Sequence, residues 1–225
     1  MLQSIVRFFR LSNLKQVAGF TWDSQDVEQS NREFFHDIIE CLVAALEAKD
    51  CYTCGHSSRV ADLSLDLARG LGITGEALEN IHIAAHLHDI GKMGIADNIL
   101  NKRGKLLLEE WAQIHLHPVI GYNILRKSKK LGPIAKIVLH HHERWDGKGY
   151  PHGLRRYNIP LASRIIGVAD AVDAMTTSRA YREPMSWKDC YYEVQVNKNK
   201  QFDPLVTEAA EKLWNTWAGE QQTDC

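Results

Sequence analysis

The sequence lacks several features that would place the protein in a specialised class. No apolar run approaches the roughly 18 residues that cross a membrane. In the stretch 1–22, Arg7 interrupts the apolar residues and no small-residue cleavage site follows, which argues against a signal peptide. The five cysteines are too sparse for a disulfide scaffold and indicate a reducing compartment. The net charge of −1 gives no basic field for nucleic acid or an anionic membrane. We therefore expect a cytoplasmic protein with no membrane segment and no nucleic-acid partner.

Strand patterns are also almost absent, whereas apolar residues recur at helical spacing along the chain. Within the first predicted helix, Cys41, Leu42 and Leu46 are among the residues expected to form one buried stripe. The predicted helices cover 27–49, 56–70, 76–90, 108–116, 118–127, 133–143, 159–180, 186–196 and 204–218. The pattern predicts an all-α protein with a single helical domain.

The domain is expected to span 26–220, between a lead segment at 1–25 and a short tail at 221–225. Residues 1–22 of the lead segment are predicted to form a short amphipathic helix that packs on the domain or on a second copy of the chain. Docking on a membrane surface is the alternative for this helix.

Histidine is the unusual component of the sequence, with 11 residues, most of them between His56 and His152. His88 and Asp89 lie in an apolar segment predicted to be helical, where a carboxylate is costly unless it meets a salt bridge, a cap or a metal. Other His and Asp residues occur on further predicted helices, and inward-facing side chains of a bundle can converge on one site. The candidate metal ligands are His56, His88, Asp89, His117, His141, His142 and Asp170.

Seven nitrogen and oxygen ligands exceed the four of a structural zinc and favour two metals, bridged by a carboxylate such as Asp89. The set suits iron, manganese, zinc or nickel. Two adjacent metals activate a shared water and clamp the oxygens of an in-line displacement, which predicts phosphodiester hydrolysis. Lys92 lies on the same predicted helix face as Asp89 and is a candidate phosphate contact. Arg179 and Arg182 are either phosphate clamps or surface ion-pair residues.

Several specific motifs occur together in this chain. They are DCYTCGHSSRV from Asp50, AAHLHDIGKMGI from Ala84, the pair His117-Pro118, HHERWDGKGYP from His141 and VADAVDAMTTSRAYR from Val168. From Glu47 to Val206 this set resembles the HD-GYP family of bacterial phosphodiesterases, within the HD superfamily of metal-dependent phosphohydrolases. The resemblance implies an HD-type helical bundle with an extra C-terminal helical part. It also implies hydrolysis of cyclic di-GMP to pGpG or GMP.

For the site, the resemblance implies that all seven candidate ligands hold a binuclear centre. Iron is the expected metal, with manganese, nickel or zinc as alternatives. Asp89 and Lys92 would be catalytic, with a metal-bound hydroxide attacking phosphorus. The implied substrate contacts are Lys92, Gly149, Tyr150, Arg179 and Arg182. Tyr52 occupies the position where some members carry a glutamate for a third metal, so two metals are expected.

Three further features of the sequence support expectations. Asp173 is expected to hydrogen-bond a metal ligand or Lys92. Asn199-Lys200 replaces a glycine usual before QFDP, and asparagine tolerates a left-handed turn there. Cys51 and Cys54 are interpreted as a chance C-x-x-C, with a redox-sensitive pair as the alternative.

Two alternatives to the predicted function stay open. The substrate could be another cyclic dinucleotide or nucleotide. The chain could instead be a non-catalytic binding module. Such a module would bind cyclic di-GMP, or would use its GYP loop to bind a partner protein such as a diguanylate cyclase or a sensor protein.

Overall fold

The computed structural model describes residues 24–50, 54–178 and 183–220. Within these ranges the chain forms helices joined by turns and loops, with no β-strand. The helices are α1 (Ser24–Lys49), α2 (His56–Gly70), α3 (Gly75–His86), α4 (Asp97–Leu100), α5 (Leu108–Ile114), α6 (His117–Leu125), α7 (Gly132–Leu139), α8 (Leu161–Thr176), α9 (Trp187–Val196) and α10 (Pro204–Glu220). Short 3-10 helices lie at Ile90–Gly94 and Arg156–Asn158. The predicted all-α class is confirmed.

The chain divides into two compact units, with the boundary between Ile38 and Ile39. The predicted amphipathic segment at 1–22 lies outside the described residues. No helix in the described part of the chain is both long enough and apolar enough to cross a membrane.

The core of the second unit is built around α2, which packs against both α3 and α8. Val60, Leu67, Ile166 and Val172 are completely buried between these helices. Burying such a side chain contributes about 1.5–3 kcal/mol relative to leaving it in water. The C-terminal helices join this core through Trp217, whose indole N–H donates to Asp66 of α2 at 2.9 Å. The packed helices form a fixed frame for the polar residues at their ends.

Five predicted helices end earlier than the periodicity indicated, including 159–180, which ends as α8 at Thr176. Two of these early ends change where candidate ligands lie. The segment 76–90 was predicted to be one helix, but α3 ends at His86, and His88 and Asp89 lie in the turn that follows. The chain turns because Gly91 packs directly on the backbone of α6, where a Cβ would stand 1.8 Å from the carbonyl oxygen of His117. Similarly, α7 ends at Leu139 rather than at 143. His141 and His142 therefore lie in a turn and are free of the 100° separation that a helix imposes on neighbours.

The predicted stripe on α1 is wrong in part. Leu46 is buried, but Cys41 and Leu42 are exposed, and Ile39 and Val43 take the inward positions. Both sets satisfy helical spacing on this largely apolar helix, so the periodicity did not distinguish them. Asn199 adopts the left-handed conformation that asparagine tolerates, with φ of 64°.

Candidate metal centre

The fold brings the seven candidate ligands to one place from five points of the chain. They come from the start of α2, the turn after α3, the start of α6, the turn after α7 and the middle of α8. Their donor atoms form two groups, Asp89 with His117, His141 and His142, and His56 with His88 and Asp170. Within each group the donor atoms lie within 4.8 Å of one another.

Asp89 lies between the two groups. Its Oδ1 is 3.3 Å from Nε2 of His117, in the first group. Its Oδ2 is 3.4 Å from Nε2 of His88 and 3.8 Å from Nε2 of His56, in the second group. One carboxylate thus presents a different oxygen to each group, which is the arrangement of a bridging ligand.

Three of the histidines are oriented by the same local device. The Nδ1–H groups of His88, His117 and His141 donate to the carbonyl oxygens of Ala85, Ile114 and Val138, three residues earlier, at 2.6–2.8 Å. Since a carbonyl only accepts, each Nδ1 carries a proton and each Nε2 faces the centre. Histidines that ligate metals characteristically donate their second ring nitrogen in this way.

His56 is oriented by a side chain instead of by the backbone. Its Nδ1 donates to Oδ2 of Asp173 at 2.6 Å, which confirms the expectation that Asp173 bonds a candidate ligand. Arg59 holds the other carboxylate oxygen of Asp173 at 2.5 Å. Burial raises the pKa of Asp173, but the hydrogen bonds from His56 and Arg59 dominate and lower it to about 2. Arg59 was not identified from the sequence, because nothing local to it indicates a partner 114 residues away.

The donor set fits divalent metal ions on physical grounds. Nε2 of His117 and Nε2 of His141 face each other at 3.3 Å, and with both protons on Nδ1 this places two lone pairs together. Nε2 of His88 is buried and has no hydrogen-bond partner. A cation between these atoms would remove the repulsion between the two lone pairs and give the buried Nε2 of His88 a partner. Imidazole together with carboxylate suits several transition metals.

The charges also favour metal ligation. Burial lowers the pKa of His117, His141 and His142, that of His142 to about 3, so these rings are neutral near pH 7. His88 differs, because the Asp89 carboxylate outweighs burial and raises its pKa to about 9. His88 would have to release this proton to bind a metal.

Lys92 forms an ion-paired bridge between two carboxylates. Its Nζ lies 2.7 Å from Asp89 and 3.0 Å from Asp50. Burial opposes the charge on Lys92, but these two carboxylates raise its pKa above the usual range. Sequence reasoning missed Asp50, which opens the DCYTCGHSSRV motif and is buried.

A family model described as "HD domain" matches residues 40–206. The chain belongs to the HD domain family. It is 40% identical over 185 residues to a "Cyclic di-GMP phosphodiesterase" of Thermotoga maritima, covering 80% of this chain and 50% of that protein. It is 36% identical to the "3'3'-cGAMP-specific phosphodiesterase 2" of Vibrio cholerae, covering 88% of this chain and 38% of that protein. The chain thus spans half or less of the length of these two relatives.

Solved HD-domain structures share the fold. A V. cholerae cyclic GMP-AMP phosphodiesterase (V-cGAP3) aligns with a TM-score of 0.60 at 18% identity, over 78% of this chain and 48% of that one. The HD domain of L. monocytogenes phosphodiesterase PgpH, in complex with cyclic-di-AMP, aligns with a TM-score of 0.57 at 22% identity. The alignment covers 79% of this chain and 95% of that one. The expected HD-type architecture is thereby confirmed.

In this HD-domain protein a cavity of about 400 Å³ opens beside the two groups. His142 and Asp170 form part of its wall, and Gly149 and Tyr150 of the predicted GYP element line it as well. Burial, together with Asp89 and Asp170, raises the pKa of Tyr150, so its phenol stays protonated. Tyr52, Arg179 and Arg182 lie outside the described residues.

The GYP loop is held against the turn that carries the paired histidines. Buried Glu143 accepts hydrogen bonds from the backbone N–H groups of His152 and Leu154 at 2.8 and 2.9 Å. A Cβ at position 149 would stand 2.4 Å from the Arg144 nitrogen, so only glycine lets the loop approach this closely. Gly149 thus fixes the loop beside the centre.

Proposed function

We propose that this chain is a metal-dependent phosphodiesterase that hydrolyses cyclic di-GMP to pGpG or GMP. The observation that carries the proposal is the convergence of seven His and Asp side chains into two groups with Asp89 between them. The names of the similar proteins support a cyclic dinucleotide as the substrate class.

Each group would hold one divalent ion. His117, His141 and His142 would bind the first, His56, His88 and Asp170 the second, and Asp89 would be shared. Bound ions would supply Lewis-acid chemistry, which activates water and neutralises charge on the phosphate. Iron is the proposed metal, and manganese, nickel or zinc would suit the same ligands.

Lys92 would act as a fixed positive charge. Because its pKa is raised, it stays protonated and does not exchange a proton during turnover. It would stabilise negative charge on the phosphate oxygens, while Asp50 keeps its ammonium group beside Asp89. The neutral Tyr150 phenol would donate a hydrogen bond to the substrate.

A second candidate substrate is 3'3'-cGAMP, since proteins named as specific for it are 36–38% identical to this chain. Turnover of the two cyclic dinucleotides, measured side by side, separates these candidates. Docking of a diguanylate cyclase or sensor protein at the GYP loop, homodimerisation and a cytoplasmic location stay predictions.

The deciding experiment is anaerobic purification followed by metal analysis and a cyclic di-GMP turnover assay. The wild-type protein should carry two metal ions per chain and hydrolyse cyclic di-GMP. Asp89→Ala should lose turnover, while Asp62→Ala, which removes an exposed carboxylate on α2, should keep it. Bound metal without turnover of any cyclic dinucleotide would instead support the non-catalytic binding module.

A further inference from the structure

Aromatic rings run in a continuous series from the candidate metal centre to the surface. The Tyr150 ring lies next to His142, with centroids 4.8 Å apart. On its other side Tyr150 stacks on His115, with centroids 4.1 Å apart and ring planes 22° from parallel. Trp111 follows His115 at 5.6 Å, with the planes opened to 50°. The ring planes are therefore nearly parallel where Tyr150 meets His115 and tilted where His115 meets Trp111.

The outer rings are not explained by core packing. Trp111 is 48% exposed, His115 is also exposed, and α5, which carries Trp111, contributes no residue to the core. The indole therefore presents aromatic surface that a ligand can contact. His115 lines the same cavity as His142 and Asp170, so Trp111 contacts a ring that borders the space where a substrate would lie.

We infer that the exposed indole of Trp111, at the outer end of the ring series, is a nucleobase subsite on which one base of the substrate stacks. This inference rests on the proposed function, since a nucleotide whose phosphate lies at the metal groups projects its base away from them. Every nucleobase has a flat π-face, so an aromatic platform holds it without reading its edge. Trp111 would then lower the KM and contribute little to kcat.

The test compares two ligands that differ in the base. GMP and ribose 5-phosphate are measured as inhibitors of the wild-type protein, Trp111→Ala and Trp111→Phe. Since stacking on an aromatic side chain is worth about 1–3 kcal/mol per base, Trp111→Ala should raise the Ki of GMP by about tenfold or more. The Ki of ribose 5-phosphate and kcat should stay within about twofold, because neither depends on base stacking. Trp111→Phe should retain most of the affinity, and Leu108→Ala, 86% exposed on the same helix, should behave as wild type.

Two results would overturn the subsite. Equal weakening of GMP and ribose 5-phosphate, or a fall in kcat, would mean that the rings only support Tyr150. An unchanged Ki for GMP in Trp111→Ala would mean that no base reaches the indole.

A binding measurement keeps this test separate from the proposed activity. GMP should quench tryptophan emission in the wild-type protein more than in Trp111→Phe, whether or not the protein turns over cyclic di-GMP. Quenching that is equal in both proteins would refute the subsite, whereas absent turnover with Trp111-dependent quenching would refute only the phosphodiesterase.

Discussion

Replacing Gly91 by alanine tests whether the turn after α3 needs its close contact with α6. An added Cβ would lie 1.8 Å from the His117 carbonyl oxygen and 2.5 Å from the Gly121 nitrogen. Both obstacles are backbone atoms, so the turn and α6 must separate. Inserting an extra group into a well-packed core typically lowers the free energy of unfolding by about 1–3 kcal/mol. Because backbone atoms cannot move aside as a side chain can, we expect a loss of about 3 kcal/mol or more for Gly91→Ala.

Separation of these elements would also move two candidate ligands apart. Asp89 lies on the turn and His117 on α6, and Asp89 Oδ1 is now 3.3 Å from His117 Nε2. Gly91→Ala should therefore lower the free energy of unfolding and reduce the metal content. Urea denaturation of the metal-free protein and elemental analysis after reconstitution measure these two quantities.

Gly132→Ala provides the matched control. A Cβ at this position, at the start of α7, meets no atom within 4 Å. Because alanine is the better helix former, this variant should be as stable as the wild-type protein or slightly more stable. If Gly91→Ala matched Gly132→Ala in stability and still bound two metals, the close packing would not be what positions the two ligands.

Further predictions concern the residues around the centre. Asp173→Asn should weaken Mn²⁺ binding about 10- to 100-fold in calorimetric titration, because His56 loses its carboxylate partner; an unchanged affinity would contradict this role. The folded-state pKa of Asp173 is about 2 and its ordinary value 3.8. Its ionised form therefore adds about 2 kcal/mol of stability above pH 3.8, which is lost as the pH falls through 2. Urea denaturation should accordingly show a stability deficit in Asp173→Asn at pH 6 that narrows near pH 2.5. Lys92→Met should lower kcat by about 10²–10³, and Lys92→Arg should restore part of it; full activity in Lys92→Met would exclude the fixed charge.

The sequence was sufficient to predict the helical class, the family and the residues that the fold gathers. These predictions rest on local signals, namely helical periodicity, motif spacing and the cost of placing His and Asp in apolar segments. The left-handed conformation of Asn199 is likewise local, since asparagine is one of the few residue types that tolerate it. The orientation of His88, His117 and His141 by carbonyls three residues earlier is equally local, although we did not predict it from the sequence.

Only the tertiary structure decided which distant residues act on one another. His56 and Asp173 are 117 residues apart, and Lys92 and Asp50 are 42 apart, so no local pattern couples them. The same holds for the end of α3, which depends on how closely Gly91 packs on α6 rather than on its own apolar spacing. The ring series from His142 to Trp111 likewise joins the GYP loop to α5 only in space. The sequence by itself determined the ligand chemistry, because that depends on residue type. The structure decided its geometry, because that depends on contacts that form only when the helices pack.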